Sequence, residues 1–460
     1  MKSVSTITKR LIYYSLIILA LAAAGVGSAS AILFRGAEIY PSVFIGEIDV
    51  GRLTKDDAAL KVNEYFNARK GTPLVILSVE GQLWPIYAAD IDAQYFAPDM
   101  IDKAFLVARE GHPLQRIRER YLVMQQKKTI PFQINYDLEK LSALIRKISD
   151  HYHQPPINAS MQRINGHFAT RDHQLGRNLP ADSVVHALND AIRQEWGSTV
   201  ALNVEITIPH ILTDDITMIA KEWTSYNTEF NNKDLNRTEN ITIAASSVNG
   251  TILKPGDVFS FNNIVGLRSK DKGYKDAPAY IQGKLVMDVG GGVCQVTSTL
   301  YNSTLLANLE IIERSSHFRP PGYVPIGMDA TVADNALDFS FKNNSASAIY
   351  IECEVYGNQL GVRIFGADIK QRPDVQILTT GQEIFDAKTI IKQDAELPLG
   401  QQVIEQEEQK GYKVTTIRVV SQDNRELRRE VLSQDEFVPV DKIIRVGTKI
   451  ASTKPGIQSK

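Results

Sequence analysis

Three patterns of apolar and polar positions follow one another along this chain. The first is an apolar run from Leu11 to Phe34 that contains no charged residue, and its length suits one crossing of a lipid bilayer. Beyond about residue 40, stretches in which every second residue is apolar alternate with stretches of helical spacing, which indicates strands and helices in turn. The last pattern, towards the C-terminus, is strand-like only. Together they predict an α+β multidomain protein behind a single N-terminal transmembrane helix.

The flanks of the apolar run predict its orientation. Three basic residues precede the run, and only Arg35 follows it closely, so the positive-inside rule predicts a cytoplasmic segment 1–10 and an anchor 11–34. The sequence Ala29-Ser30-Ala31 also resembles a signal-peptide cleavage site, and a cleaved leader is the alternative. Apolar residues continue beyond that site, which favours the anchor. Either way, the bulk of the chain is predicted to lie outside the cytoplasmic membrane.

The region 40–210 contains a succession of elements that loosely recurs. Thr54 is predicted to cap a helix, with Asp57 in an aspartate version of the capping box. The turn Asn165-Gly166 between alternating stretches is a strong hairpin signal. These patterns predict two tandem α+β repeats whose elements, in chain order, are a strand at 40–50, a helix that begins after Thr54, a hairpin of 74–79 and 83–87, a helix at 98–110, a strand at 130–134, a helix at 137–151, a hairpin of 159–164 and 167–171, and a helix at 181–196.

The rest of the chain divides into a connector, a second α+β domain and a β module. Residues 209–236 are predicted to connect the regions, with a short helix around 216–226. The domain 236–366 is predicted to contain a glycine-rich turn, a helix that starts at the cysteine behind it, and then strands. Residues 375–450 are predicted to form a small all-β module, and 451–460 a flexible tail.

Composition narrows the possible functions. At 460 residues the chain is too long for a single core, and its net charge of −2 without a basic block argues against a nucleic-acid partner. Its two cysteines, Cys294 and Cys353, provide neither a disulfide scaffold nor a paired zinc motif. We therefore predict no cofactor and no metal. A disulfide between the two cysteines is an alternative that would leave no free thiol.

The segment Gly290-Gly291-Gly292-Val293-Cys294 is the strongest chemical signal. Glycines let the backbone bend tightly and approach a ligand closely, and the apolar spacing of Val293, Val296 and Leu300 predicts a helix directly behind them. A sulfur at a helix N-terminus is biased towards the thiolate by the macrodipole. A small buried residue beside a turn is the alternative, but the glycine run favours a nucleophilic thiol.

Short motifs follow one another in a fixed order through residues 236–366: Asn236-Arg237 with Asn240-Ile241, Asn249-Gly250, Pro255-Gly256 with Phe259-Ser260-Phe261-Asn262, Gly266, Gly273-Tyr274, Gly290-Gly291-Gly292-Val293-Cys294-Gln295, Glu313-Arg314 with His317, and Tyr323-Val324-Pro325 with Gly327 and Asp329-Ala330-Thr331-Val332. In this combination the chain resembles the VanW family of cell-envelope proteins, named after an accessory protein of vancomycin-resistance clusters. The region 40–210 resembles the peptidoglycan-binding repeats that often precede a VanW domain. The region 375–450 is similar to a small β module that often follows it and associates with cell-wall sugars.

The resemblance implies a wall-associated function with peptidoglycan stem peptides and glycan as partners. Some VanW domains act as L,D-transpeptidases, which form 3–3 cross-links between stem peptides. The nucleophile in those domains is the cysteine of the glycine-rich motif, here Cys294. A transpeptidase is therefore our first expectation for this chain.

Acyl transfer by a cysteine also needs a base, a group that orients the base, and donors for an oxyanion. His317 is the only histidine after His210 and is the candidate base, with Asp329 as its orienting carboxylate. The remaining candidates concern substrate and oxyanion binding: the backbone at Gly291, Gly292, Val293 and Gln295, the guanidinium of Arg314, whose fork geometry suits a substrate carboxylate, and Tyr323.

Two other classes of function stay open at this point. A non-catalytic wall-binding or scaffold protein would agree with the adhesive character of the flanking modules. A cysteine amidase or carboxypeptidase would use the same site with water as acceptor. We expect a single-pass envelope protein with a cysteine transpeptidase domain.

Overall fold

A computed structural model of the chain describes residues 13–15, 36–281 and 284–449. Apart from residues 13–15, the predicted anchor 11–34 lies outside the described residues, as do the predicted cytoplasmic segment 1–10 and the tail 451–460. Within the described ranges, no helix combines the length and the apolar character that a membrane crossing requires.

Helices and strands alternate up to residue 306, and strands follow. The helices are α1 Lys55–Ala68, α2 Ala97–Leu106, α3 Pro113–Gln125, α4 Leu138–Tyr152, α5 Ala181–Gln194, α6 Thr213–Thr217, α7 Leu235–Val248, α8 Phe261–Val265 and α9 Val293–Leu306, with 3-10 helices at Ala88–Ile91 and Lys270–Lys272. The strands are β1 Val43–Ile45, β2 Ile48–Asp49, β3 Pro73–Val79, β4 Gln82–Tyr87, β5 Gln94–Tyr95, β6 Lys128–Ile130, β7 Ile134–Asn135, β8 Ser160–Ile164, β9 His167–Arg171, β10 Gly176–Asn178, β11 Ser198–Leu202, β12 Glu205–Thr207, β13 Lys221–Glu229, β14 Thr251–Leu253, β15 Val258–Ser260, β16 Asp276–Ile281, β17 Lys284–Val289, β18 Glu310–Glu313, β19 Ser340–Lys342, β20 Ile349–Tyr356, β21 Gln359–Gly366, β22 Asp374–Phe385, β23 Thr389–Pro398, β24 Gln402–Gln406, β25 Gly411–Gln422, β26 Arg425–Phe437 and β27 Lys442–Lys449.

The described residues fall into two compact units. The first comprises the described part of Met1–Pro156 together with Leu175–Ile208, and the second comprises Ile157–Gln174 together with the described part of Pro209–Lys460. The predicted all-β module at the C-terminus is confirmed, since β22 to β27 form two three-stranded sheets without a helix.

In the first unit, local signals are mostly obeyed. The Thr54 side chain accepts a hydrogen bond from the Asp57 amide and so caps α1 as predicted. The predicted strand at 40–50 is instead a tight pair, β1 and β2, because the chain turns at Gly46 with φ 55°. A Cβ atom on that glycine would lie 2.2 Å from the Phe132 ring, so no larger residue fits there.

The two predicted repeats of the first unit share two three-stranded sheets, β2-β1-β6 and β11-β3-β4, and one core. Strand β1 pairs in parallel with β6, and β3 pairs in parallel with β11, so each pairing joins one half of the region to the other. One hydrophobic cluster extends from Ile39 to Val204. The two halves therefore fold as one body, apart from the hairpin of β8 and β9. Helix α3 was not predicted, because its one buried residue, Val123, gives no apolar periodicity.

The predicted hairpin around Asn165-Gly166 is present as β8 and β9, and it belongs to the second unit. Its Phe168 packs against Tyr350 and Phe365 on a four-stranded antiparallel sheet with the order β13-β21-β20-β14. Alternate residues of β20 and β21 face the opposite side, where they form the main core with helices α7 and α9.

The prediction of a helix around 216–226 was wrong. Helix α6 ends at Thr217, and β13 follows as an edge strand that pairs with β21. The residues from Trp223 to Thr228 are mostly β-branched, aromatic or short and polar, which suits a half-buried strand. Pairing with β21 therefore decided the structure of this segment.

Candidate active site

Helix α9 begins directly after a tight turn of three glycines. Gly290 and Gly292 have φ values of 85° and 109°, in the left-handed region that favours glycine. Gly291 is required for space, because a Cβ atom there would lie 2.5 Å from the Ala277 carbonyl oxygen. The buried side chain of Asn240 donates a hydrogen bond of 3.0 Å to the Gly291 carbonyl and so fixes the turn to helix α7.

This turn places Cys294 in the first turn of α9, where its residue is partly exposed. The sulfur lies 3.5 Å from the Thr331 hydroxyl oxygen and 3.6 Å from the Val332 carbonyl oxygen. Both cysteines are free thiols, and Cys353 is buried in β20. The alternative of a disulfide between them is therefore excluded.

His317 and Asp329 lie beside the cysteine. The Nδ1 atom of His317 is 2.6 Å from Oδ2 of Asp329, and the His317 backbone amide donates to the same oxygen at 2.7 Å. Two hydrogen bonds to one carboxylate fix the imidazole and direct its Nε2 atom away from Asp329. The His317 ring also lies close enough to Cys294 for each side chain to shift the pKa of the other. The structure thus brings together the predicted nucleophile, base and orienting carboxylate.

The three groups shift one another's protonation. Burial raises the pKa of the Cys294 thiol, but the hydrogen bond and charge of His317 outweigh it and lower that pKa to about 7. Burial lowers the pKa of His317, but hydrogen bonds to Asp329 and Cys294 raise it to about 9. Burial raises the pKa of Asp329, but the hydrogen bonds and charge of His317 and the charge of Arg314 outweigh burial, so that the pKa lies below its ordinary value. A thiolate and an imidazolium therefore coexist between about pH 7 and pH 9.

This pairing predicts the pH at which the thiol becomes reactive. The rate of alkylation of Cys294 by iodoacetamide is expected to reach half of its maximum near pH 7, because the thiolate is the reacting form. Mass spectrometry of the modified protein measures the rate, and a Cys353→Ala background removes the second thiol. A midpoint near the ordinary thiol pKa of 9.0 would show that no imidazolium stabilises the thiolate.

Arg314 does not face a substrate. Its side chain is 6% exposed, and it donates to Oδ1 of Asp329 at 3.1 Å and to Oδ1 of Asp435 at 2.5 Å. Its Nε also donates to the Asp329 backbone carbonyl at 2.6 Å. The two carboxylates and the carbonyl occupy the fork that the sequence suggested for a substrate carboxylate. Arg314 instead holds Asp329 in place.

The predicted oxyanion donors at the start of α9 are already engaged in the turn. The Val293 amide donates to the Gly290 carbonyl, and the Gln295 amide donates to the Gly292 carbonyl. The Gln295 side chain, 1% exposed, bonds to Thr228 and to the Glu229 carbonyl. The Gly291 amide donates to the Asp288 carbonyl at 3.4 Å. The amides of Gly291, Val293 and Gln295 are therefore engaged within the turn that presents Cys294.

Tyr323 does lie at the site. Its ring contacts the His317 ring edge-on with centroids 6.5 Å apart, and the Ser298 hydroxyl lies within hydrogen-bonding reach of it. Burial raises the pKa of Tyr323, and so does the charge of Cys294. Its hydroxyl consequently stays protonated near neutral pH and can donate a hydrogen bond to a developing oxyanion.

Sequence reasoning did not single out Ser298. The serine is buried on α9, where its hydroxyl donates to the Cys294 carbonyl at 2.8 Å and accepts from the Ala330 amide at 2.9 Å. It thereby connects the cysteine helix to the chain beside Asp329. Most polar residues of α9 are buried in this way, and the sequence alone does not show that burial.

Arg237 is a second residue that the sequence did not single out for the site and that the structure places beside the glycine turn. Its Nη2 atom donates to the Gln295 side-chain oxygen at 2.8 Å, and its side chain lies against Gly292. Burial raises the pKa of Tyr323, and the positive charge of Arg237 partly lowers it. Among the described residues, the Arg237 guanidinium pairs with the neutral amide of Gln295 and with no carboxylate.

Comparison with known families divides the chain into three matched segments. Residues 236–365 match the family described as "VanW like protein", residues 84–201 match "Putative peptidoglycan binding domain", and residues 377–449 match "G5 domain". The candidate site lies in the first of these segments, and the C-terminal β module is the last.

Two curated proteins and one solved structure also match parts of the chain. The chain is 30% identical over 283 residues to the "Uncharacterized protein YoaR" of Bacillus subtilis, which covers 59% of this chain and 91% of the relative. It is 33% identical over 146 residues to the "Vancomycin B-type resistance protein VanW" of Enterococcus faecalis, covering 31% of this chain and 52% of the relative. The solved G5 domain of IgA1 protease matches 18% of this chain and 99% of its own length, with 27% identity and a TM-score of 0.15.

Proposed function

The chain belongs to the VanW family of cell-envelope proteins, and from this premise we propose that it is an L,D-transpeptidase that joins peptidoglycan stem peptides through a thioester on Cys294. The observation that carries the proposal is the grouping of Cys294, in the first turn of α9 behind the glycine turn, with His317, which Asp329 orients through a hydrogen bond of 2.6 Å. This arrangement supplies a thiolate and a proton donor at neutral pH, which an acyl transfer needs.

In the first step, the Cys294 thiolate attacks the carbonyl carbon of the third residue of a donor stem tetrapeptide. The new bond joins sulfur to carbon, and the negative charge passes to the carbonyl oxygen, where the Tyr323 hydroxyl donates. The imidazolium of His317 then protonates the nitrogen of the terminal D-amino acid. The peptide bond breaks, the D-amino acid leaves, and a thioester remains on the protein.

In the second step, the side-chain amine of an acceptor stem peptide attacks the thioester. Neutral His317 accepts the proton that the amine loses, and the sulfur leaves as a thiolate. The product is a 3–3 cross-link, and the thiolate–imidazolium pair is restored. Both steps use the same two side chains in opposite directions, and Asp329 keeps the imidazole in one orientation throughout.

Arg237 is the residue that we assign to the terminal carboxylate of the donor. Arg314 is saturated by two carboxylates, whereas Arg237 stands next to the glycine turn with a neutral partner. A guanidinium can grip a carboxylate with two parallel hydrogen bonds. Such a grip would select donors that end in a free D-amino acid.

Replacement of Arg237 by glutamine is expected to raise the KM for the donor tetrapeptide by about 10- to 100-fold, the worth of a hydrogen-bonded charge pair. Steady-state rates of muropeptide conversion measure the effect. A donor with an amidated C-terminus is the matched control, because it lacks the carboxylate and should distinguish little between wild type and Arg237→Gln. An equal loss on both donors would assign Arg237 to the turn and not to the substrate.

The flanking segments suit a protein that works at the wall. The peptidoglycan-binding and G5 segments support binding to cell-wall components. We place the catalytic unit outside the cytoplasmic membrane, where stem peptides are found, with the apolar run 11–34 as its anchor. The relative from Enterococcus faecalis carries vancomycin resistance in its name, and a role in that resistance is part of the same proposal.

The experiment that tests the proposal is mass spectrometry of purified disaccharide tetrapeptides incubated with the chain from residue 36 onwards. Dimers with a 3–3 linkage, together with one released D-amino acid per dimer, are the expected products. Tripeptides without dimers would replace the transpeptidase by a carboxypeptidase. Unchanged substrate, from protein that still sediments with cell walls, would replace it by a wall-binding protein.

A further inference from the structure

A buried row of charged side chains connects the candidate active site with the C-terminal β module. Asp435, on strand β26 of that module, is 7% exposed and accepts from Nη1 of Arg314 at 2.5 Å. Arg314 is 6% exposed and also holds Asp329, which is fully buried and bonded to His317. The charges alternate in sign from Asp435 through Arg314 and Asp329 to His317.

A second hydrogen bond, within the β module, holds the Asp435 carboxylate in place. Its second carboxylate oxygen accepts from the Ser433 hydroxyl at 2.8 Å. Two neighbouring contacts fix the module to the domain that bears the site: Thr416 donates to the Gly327 carbonyl at 3.1 Å, and Arg418 donates to the Leu309 carbonyl at 2.7 Å. All of these side chains except that of Ser433 are buried, so the module is part of the wall around Arg314.

We propose that Asp435 is a positioning residue for the catalytic histidine, and hence that the G5 module, besides any binding to the wall, completes the active site. The inference rests on the proposed function, since it deepens the role of the same site. Asp435 touches neither Cys294 nor His317. It acts by fixing the guanidinium that in turn fixes Asp329.

The physical reason is a division of one positive charge between two carboxylates. With Asp435 in place, the positive charge of Arg314 is stabilised by two carboxylates, those of Asp435 and Asp329. If Asp435 becomes neutral, the guanidinium is a buried cation with one negative partner. Its electrostatic interaction with Asp329 would then be stronger. The Asp329 carboxylate would then stabilise the His317 imidazolium less.

Other ionisable groups surround the row. The Tyr301 ring lies 5.5 Å from the Arg314 guanidinium carbon. Arg418 and Glu430, which form an ion pair with each other, line the same cavity of about 660 Å³ as Arg314 and Asp435. On the side of His317, the facing groups are Cys294 and Tyr323. None of these groups forms an ion pair with Arg314, whose charge is balanced by Asp435 and Asp329.

The test measures the pH dependence of Cys294 alkylation in the chain from residue 36 onwards, with and without Asp435→Asn, in a Cys353→Ala background. Asp435→Asn is expected to raise the pH midpoint of Cys294 alkylation from its value near 7, because a less stable imidazolium supports the thiolate less. The midpoint should rise by about half a pH unit or more. Turnover of tetrapeptide should fall about tenfold in kcat with little change in KM, and Asp435→Glu should restore part of it.

Thr416→Val is the matched control, because it removes a hydrogen bond from the same interface without touching Arg314. Its alkylation profile should overlay that of the background protein. If Asp435→Asn does not fold, Ser433→Ala releases the same carboxylate more gently, and a smaller shift in the same direction is expected.

Two outcomes would overturn the inference. One is an unchanged alkylation profile in folded Asp435→Asn protein. The other is an equal shift in Thr416→Val, which would reduce the effect to a loosened interface. Alkylation needs no peptide substrate, so these outcomes leave the transpeptidase proposal intact, and a failure to make dimers would leave the alkylation result valid.

Discussion

Replacement of Cys294 by alanine is expected to lower the rate of 3–3 dimer formation at least about 10³-fold, the loss that removal of a covalent nucleophile produces in other acyl-transfer enzymes. The other thiol cannot take its place, because Cys353 is buried in β20. The measurement is the initial rate of dimer appearance at pH 8, between the two shifted pKa values.

Two controls make the loss of activity interpretable. Cys353→Ala also removes a thiol and should keep the rate of dimer formation within about threefold of wild type, provided that it folds. Near-ultraviolet circular dichroism and sedimentation with cell walls should be the same for Cys294→Ala and wild type, since the side chain is small and lies at a helix start. Dimer formation by Cys294→Ala protein would mean that another residue carries the acyl group.

The reactive centre could be predicted because its signals are local. Three successive glycines require unusual backbone angles, and the apolar spacing after them indicates one helix, so the position of Cys294 followed from a short segment. His317 could be predicted by elimination, as the only histidine in the second half of the domain. Asp329 was a weaker expectation, because a carboxylate in a loop carries no sign of its burial.

What the sequence did not reveal depends on contacts between distant segments. Arg314 appeared available for a substrate until Asp435, far along the chain, was found on its guanidinium. Similarly, β13 was predicted as a helix, because its pairing with β21 lies outside any local window. The Val293 and Gln295 amides were expected to be donors for a ligand, but the turn itself consumes them.

The role of Arg237 could not be predicted from the sequence for a third reason. The pair Asn236-Arg237 belongs to the motifs that indicated the family, but the motif alone assigns no task to the side chain. Its task emerges by comparison with Arg314: both guanidiniums are near the site, and only Arg314 is neutralised by carboxylates. The choice between the two therefore needed the positions of the acidic residues.

Replacement of His317 by glutamine is expected to reduce dimer formation by about 10²- to 10⁴-fold, the usual worth of a general acid–base residue. The thiolate would lose its main stabilising partner. Burial already raises the pKa of Cys294, so without the imidazole the alkylation midpoint should move from near pH 7 towards or beyond 9.0. Dimer formation should also lose its decline above about pH 9, which His317 causes when it gives up its proton.

The matched control for that loss is His210→Gln. His210 also pairs with a carboxylate, Asp257, at 2.8 Å, but it is exposed and takes no part in the site. Its replacement should change neither the rate of dimer formation nor the alkylation profile of Cys294. An effect seen only in His317→Gln is then specific to the site, and is not a general result of losing a histidine–aspartate pair. If His317→Gln kept turnover within about threefold and still reacted with iodoacetamide near pH 7, the thiolate would have to owe its stability to the helix start and to Thr331. The cysteine would then act without a histidine partner, and the base would have to come from the acceptor amine itself.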